Sequence, residues 1–207
     1  LAGGSSNAAA TLIGLNKLWK LNLDQEILCS FASTLGSDIP FFIKGGIQLC
    51  FGRGEILEEL DSKFEYGVIL LKNPNISIST AETYKKYGNK FCDKFLTNTV
   101  MIENIRNNLR DNGLKNLSFD NQHLTIKNDL QLVVENDNDS VKQALYLLSK
   151  LDNCLTFSMS GSGPTCFALF KDVDTAKKEL AANYKLFKDK GYDSWVCTFL
   201  EKGIAFI

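Results

Sequence analysis

The sequence is short of metal ligands: His123 is the one histidine in 207 residues, and six cysteines are scattered without a single Cys-x-x-Cys pair. That spacing excludes a structural zinc site, and no metal-binding cluster is expected. Charge of one sign is lacking too. Lys and Arg total 23 against 24 Asp and Glu, a formal net charge of -1, so no broad field draws in nucleic acid or anionic lipid, and any anion site must be local. The longest apolar runs, Tyr66 to Leu71 and Cys166 to Phe170, are too short to span a bilayer. A water-soluble protein without nucleic-acid or membrane partners is expected. The GxxxxGK[ST] pattern is also missing, which rules out a P-loop of that type. The sequence starts at Leu1 with neither an initiator Met nor a basic-then-apolar leader, so an N-terminal part is expected to lie outside it.

What is present is ordinary globular material, 44% apolar and 23% charged, enough for one large domain or two small ones. The cysteines stand mostly in apolar runs, as in Gln48-Leu49-Cys50-Phe51 and Thr165-Cys166-Phe167, and read as buried free thiols of a reducing compartment. Leu12, Leu15 and Trp19 repeat at helical spacing over Asn7–Lys20, after a loop of small residues. Asp24 caps a second helix through Leu35, with Ile27, Leu28, Phe31 and Leu35 on its apolar face and Gly36 as its stop. Ser37 to Phe42, with its proline and aromatic pair, reads as extended, and Ile47–Phe51 as a strand. Further on come a strand at Tyr66–Lys72, helices around Thr80–Tyr87, Asn98–Leu109 and Ser140–Leu151, and strands at Leu155–Met159 and Thr165–Phe170. A helix over Val173–Phe187 and a strand over Ser194–Leu200 close the chain. This order fits helices on one face of a largely antiparallel sheet, an α+β fold.

Three segments carry candidate chemistry. Gly3-Gly4-Ser5-Ser6-Asn7 sets flexible glycines and hydroxyls at a helix N-terminus, where free N–H groups and the helix dipole favour an oxyanion; a plain turn or cap has the same composition. Asp38, in Gly36-Ser37-Asp38-Ile39-Pro40, is either a turn-capping carboxylate or a base. Gly161-Ser162-Gly163-Pro164-Thr165 is a glycine loop between two strands, a tight turn or a ligand-facing loop. A fourth segment, Ser77 to Tyr84, offers Tyr84 as a stacking surface, although Tyr84 and Tyr87 also sit at the spacing of a core-facing helix. His123 has no partner motif and reads as a surface or capping histidine.

Taken together, GGSSNAAA, GSDIPFF, NPNISIST and SGSGPT resemble the GHMP kinase superfamily over almost the whole chain. Within it they resemble the branch that phosphorylates the 2-hydroxyl of 4-diphosphocytidyl-2-C-methyl-D-erythritol in isoprenoid synthesis. The resemblance implies a two-lobe α+β fold: residues 1–64 from the N-terminal, ATP-binding domain and 65–207 a ferredoxin-like C-terminal domain. It also implies ATP with Mg²⁺ as cofactors, Gly3, Gly4, Ser5, Ser6 and Asn7 on the phosphates, and Asp38 as catalytic base. Thr80, Tyr84, Gly161, Ser162 and Gly163 would meet the small-molecule substrate. A monomer or weak homodimer in a bacterial cytoplasm or plastid stroma is implied as well. Another GHMP kinase of homoserine or mevalonate type, a related decarboxylase, or a non-catalytic relative are the other readings. Ala2 replaces a common family glycine, a change expected to be tolerated unless the position needs a positive φ. The family's lysine beside the aspartate is expected outside these 207 residues, which by themselves are expected to be inactive. The three motifs are expected to converge on one triphosphate and its acceptor alcohol.

Overall fold

In a computed structural model of the chain, residues 1–60, 65–95, 103–104, 106–107, 119–120, 123–124 and 126–204 are described. Two compact units emerge, Leu1–Lys63 with Leu200–Ile207, and Phe64–Phe199. The last residues, grouped with the second domain in the sequence reading, thus fall with the first unit. The reason is local: Ile204 N–H donates to Phe42 O at 3.0 Å, and Gly203 runs so close to Gly45, whose φ is 73°, that neither backbone leaves room for a Cβ.

The first unit is built from α1 (Gly3–Leu18), α2 (Gln25–Leu35), α3 (Ile39–Lys44) and the antiparallel pair β1 (Gln48–Phe51) and β2 (Ile56–Glu59). Its core joins Ala9 of α1, Leu28 and Ala32 of α2, and Ile39 and Ile43 of α3. Asn16 closes the α1–α2 turn, its side chain bonding both Leu23 N and Leu23 O at 3.0 Å, and Asp24 caps α2 by accepting from Ile27 N at 2.8 Å.

Two expectations change here. The Ile27, Leu28, Phe31, Leu35 face of α2 is not the buried one. Only Leu28 of the four is buried, whereas Ile27, Phe31 and Leu35 are 42%, 54% and 65% exposed; Ala32 and Cys29 face the core instead. The expected extended segment after Asp38 is helix α3, because Pro40 falls in the first turn, where a missing N–H costs no hydrogen bond.

The second unit holds a four-stranded antiparallel sheet in the order β6-β7-β3-β8, from β3 (Gly67–Lys72), β6 (Thr156–Met159), β7 (Cys166–Phe170) and β8 (Asp193–Thr198). This is the ferredoxin-like order expected. Side chains of β3 alternate between two cores. Ile69 and Leu71 join the main one, Val68 a smaller one with Leu169, which explains the nearly unbroken apolar run. The helices are α4 (Thr80–Phe95), α5 (Gln131–Asp137), α6 (Asp139–Leu148) and α7 (Val173–Asp189). Asn138 caps α6 and Asp172 caps α7.

The short helix α5 and the pair β4 (Phe119–Asp120) and β5 (His123–Leu124) were not anticipated; most of the expected helix 98–109 lies outside the described residues. Cys166 is fully buried and its thiol is pushed up to about 12, and that of Cys154 to about 11, each mainly by burial. Cys50 is exposed instead, because β1 turns its side chain outward. The Cys92 side chain lies outside the described residues.

Gly67 marks where α7 starts against the sheet. A Cβ there would collide with the Asp172 carbonyl and lie 2.8 Å from Ala176 Cβ. Gly88, inside α4, has open space around it. Gly67→Ala is expected to cost roughly 1–3 kcal/mol and Gly88→Ala to add about 0.5–1 kcal/mol. Opposite shifts of the urea midpoint at constant m-value are the check.

Candidate active site

Helix α1 begins inside the glycine-serine segment rather than after it: Gly3 to Asn7 are its first turns, and Ala2 precedes it with φ 40° and ψ 38°. The first i→i−4 bond runs from Ser6 N to Ala2 O at 3.1 Å. The N–H groups of Gly3, Gly4 and Ser5 therefore lie ahead of the ladder. No side chain caps this end, and its first turn holds no acidic residue. Sixteen residues of aligned peptide dipole thus end on uncompensated donors. An added Cβ at Gly3 or Gly4 meets nothing within 4 Å, so nothing among the described residues crowds these two exposed positions. Ser6 Oγ donates to Gly3 O at 3.0 Å and braces the turn.

Asp38 is the residue before α3, yet its side chain makes no capping bond to that helix. The turn between β1 and β2 comes close to it, since a Cβ on Gly54 would lie 3.7 Å from Asp38 Oδ1. The thiol of Cys50 is raised above its ordinary value by partial burial and, second, by the Asp38 charge. Ala8 and Ala9, following the glycine-serine turn, and Ile39, next to Asp38, belong to one small core. The structure so ties two of the three motifs to the same packing unit.

The third motif lies in the second unit, at the tip of the β6–β7 hairpin. Ser160 N donates to Thr165 O and Gly163 N to Ser160 O, both at 2.9 Å. Gly161 and Gly163 have φ of 55° and 83°, and the Gly163–Pro164 bond is cis. A side chain on Gly163 would press on Met159 Sδ at 2.8 Å.

Thr80, the first residue of α4, places its Oγ1 2.7 Å from Ser162 Oγ, joining residues 82 positions apart. Tyr84 is 61% exposed while Tyr87 packs on the core. The two tyrosines do not share a face, so the core-facing alternative for Tyr84 is removed. On another side of α4 a cleft of ≈ 170 Å³ is lined by Ser77, Glu82, Lys86 and Asp137 among others. Lys86 Nζ bonds Asp137 Oδ2 at 2.7 Å, and that hydrogen bond, then the charge, holds the Asp137 carboxyl below its usual range.

These features have counterparts in known proteins. The model for the GHMP kinases N terminal domain matches residues 1–46, and that for GHMP kinases C terminal matches residues 101–189. The 4-diphosphocytidyl-2-C-methyl-D-erythritol kinase of Prochlorococcus marinus strain AS9601 is 86% identical over all 207 residues, which span 67% of its length. The enzyme of the same name from strain MIT 9515 is 63% identical over the same 207 residues and 66% of its length. The chain belongs to the GHMP kinase family. A crystal structure of 4-(cytidine 5'-diphospho)-2C-methyl-D-erythritol kinase shares its fold with a TM-score of 0.65 at 23% identity, over 95% of this chain and 64% of the other. Homoserine kinase from Cytophaga hutchinsonii does so at 0.64 and 19%, over 98% and 66%.

The condition attached to Ala2 fails, because that residue does take a positive φ, in a region that costs an L-residue roughly 1–2 kcal/mol. Sequence reasoning also missed Asn128 and Gln131. Asn128 Nδ2 donates to Met159 O at 2.7 Å and to Gly161 O at 2.8 Å, and Gln131 Oε1 accepts from Met159 N at 2.9 Å. No element was expected over these residues, and nothing in the sequence pointed from Asn128 to backbone carbonyls 31 to 33 residues away.

Ala2→Gly is expected to stabilise the protein by about 0.5–1 kcal/mol, the relieved strain less the added entropy of the unfolded glycine. Thermal melts of the two proteins side by side measure it; a lower Tm in the variant contradicts the assignment of strain.

Proposed function

We propose that this chain is the greater part of an ATP-dependent kinase that phosphorylates the 2-hydroxyl of 4-diphosphocytidyl-2-C-methyl-D-erythritol, giving the 2-phosphate and ADP. The reaction belongs to the methylerythritol phosphate route to isoprenoids, and the bacterial relatives support a cytoplasmic setting. The observation that carries the reading is that Asp38, whose side chain caps no helix, and the uncapped start of α1 both adjoin residues of one small core. Identity of 86% over all 207 residues, 67% of the length of an enzyme of that name, supports the substrate.

Gly3, Gly4, Ser5, Ser6 and Asn7 hold the ATP phosphates through backbone N–H groups and the α1 dipole. ATP enters as its Mg²⁺ complex, and Mg²⁺ bound mainly through substrate phosphates needs few protein carboxylates. Among the described residues no group of three or more His, Cys, Asp or Glu is placed to hold a metal ion, which suits a cation carried in on the nucleotide. Asp38 accepts the proton of the acceptor alcohol as its oxygen attacks the γ-phosphorus and the bond to the ADP oxygen breaks. Its freedom from helix capping supports that role, because both carboxylate oxygens remain available. Tyr84 offers an exposed π face to the cytosine. Thr80, Gly161, Ser162 and Gly163 bind the substrate's polar part, the Thr80–Ser162 hydroxyl pair linking the two segments.

Asp38→Asn in the full-length protein is expected to lower kcat by roughly 10²–10⁴-fold with ATP affinity nearly unchanged. Turnover within a few fold of wild type removes Asp38 as the base. Tyr84→Ala should raise KM for the cytidyl substrate about 10-fold, in line with roughly 1–3 kcal/mol per stacked base, and leave KM for ATP alone. Preferential phosphorylation of homoserine or mevalonate by the wild-type protein overturns the substrate assignment.

A further inference from the structure

The Gly161–Thr165 loop has few internal supports; from outside it, Thr80 reaches the Ser162 hydroxyl and Asn128 reaches the backbone of the tip. Both Nδ2 donors and one acceptor position of the Asn128 amide are engaged. Nδ2 donates to Met159 O at 2.7 Å and Gly161 O at 2.8 Å, and Oδ1 accepts from Leu130 N at 3.0 Å. Only one orientation of the amide fits, because a flip would set Oδ1 against two carbonyl oxygens. Gln131 acts at the base of the same hairpin: its Oε1 accepts from Met159 N at 2.9 Å and Ser158 Oγ at 3.1 Å. It does not reach the tip.

Gly161 C=O and Ser162 N–H belong to one peptide plane and point in opposite directions, since the bond between them is trans. Fixing the carbonyl therefore fixes where the Ser162 N–H points. That N–H takes no partner among the described residues, whereas the next donor along, Gly163 N–H, is spent on Ser160 O. Gly161, with a φ of 55°, has no side chain to hold the peptide in place. Without Asn128 no hydrogen bond from the described residues would fix this plane against turning about the Gly161 ψ and Ser162 φ bonds, since Thr80 holds only the Ser162 side chain.

We infer that Asn128 is a positioning residue for the kinase reaction: by gripping the Gly161 carbonyl it aims the Ser162 N–H as a donor to a phosphate oxygen of the bound substrates. The inference rests on the reading of this loop as substrate-facing. Donors held in place before the reaction stabilise developing charge with little reorganisation, and misplacing one is costly.

The test compares Asn128→Asp and Gln131→Leu in the full-length enzyme. Asn128→Asp keeps the shape but puts carboxylate oxygens against two carbonyls, so kcat/KM for the acceptor is expected to fall on the order of 100-fold. Part of the activity returns as pH is lowered, because a protonated carboxyl can donate to one carbonyl again; wild type lacks that acid-side recovery. Gln131→Leu should lower Tm and leave kcat/KM of the folded enzyme within about threefold. Activity losses that track Tm in both variants overturn the inference, as does Asn128→Asp activity within about threefold of wild type. Should Asn128→Asp fail to fold, amide exchange in wild type decides: Ser162 N–H is expected to slow when the substrates bind, and an unchanged rate overturns the inference. A wild-type enzyme inactive on ATP and the cytidyl substrate sinks the functional reading instead, which keeps the two failures apart.

Discussion

Three backbone N–H groups at the start of α1 have no acceptor among the described residues, and much of the first unit is arranged so that they remain so. Helix starts are ordinarily satisfied by Ser, Thr, Asp or Asn at the N-cap, but here the N-cap is Ala2 and no side chain takes that part. Acidic residues are missing from the first turn, so no internal carboxylate competes with an external anion. Glycines at 3 and 4 keep the approach clear, and Ala8 and Ala9 let the following turn press into the core. The missing cap, the missing acidic residue and the two glycines each sacrifice some helix stability, and together they leave a fixed, positively polarised surface. On the proposed function a phosphate would satisfy those donors.

The second unit applies the same economy by different means. Its hairpin tip is too rich in glycine to hold a shape by itself, and the sheet supports only its two ends, through Met159 opposite Cys166 in the ladder. Side chains from the start of α5 and the segment just before it complete the loop, Gln131 at the base and Asn128 at the tip. Because α5 contributes Val133 and Val134 to the main core, the braces are anchored to the best-packed part of the unit. Thr80 then links the loop to α4, whose Thr83 is buried and whose Tyr84 is not. Position along one helical turn thus separates a packing residue from an exposed ring.

Much of this was legible in the residues. The hydrophobic runs at Tyr66–Lys72 and Thr165–Phe170 marked the central strands, because burial on both faces leaves no room for polar alternation. The Asp24 cap was readable, as was the Gly36 stop, since those depend on neighbours a few positions away. What failed depended on distant contacts. Which side of α2 is buried is settled by α1 and α3, so Ile27, Phe31 and Leu35 looked like core and are not. Pro40 suggested an extended segment because proline inside a helix and proline in its first turn are indistinguishable until the helix start is known. Asn128 could not be seen at all, for its partners are carbonyl groups, which every residue has.

A net charge of -1 is consistent with phosphoryl transfer only if the positive potential is local, and the backbone supplies such potential without changing the charge count. Dipoles held by packing differ from lysines in one respect that matters for catalysis. A lysine ammonium can follow a moving charge but must lose entropy and hydration each time, whereas a braced N–H is already oriented and only has to be met. On the proposed function, the packing that fixes peptide planes would share the burden of catalysis with charged side chains. On that reading an uncharged residue such as Asn128 belongs in an account of the chemistry beside the carboxylate of Asp38.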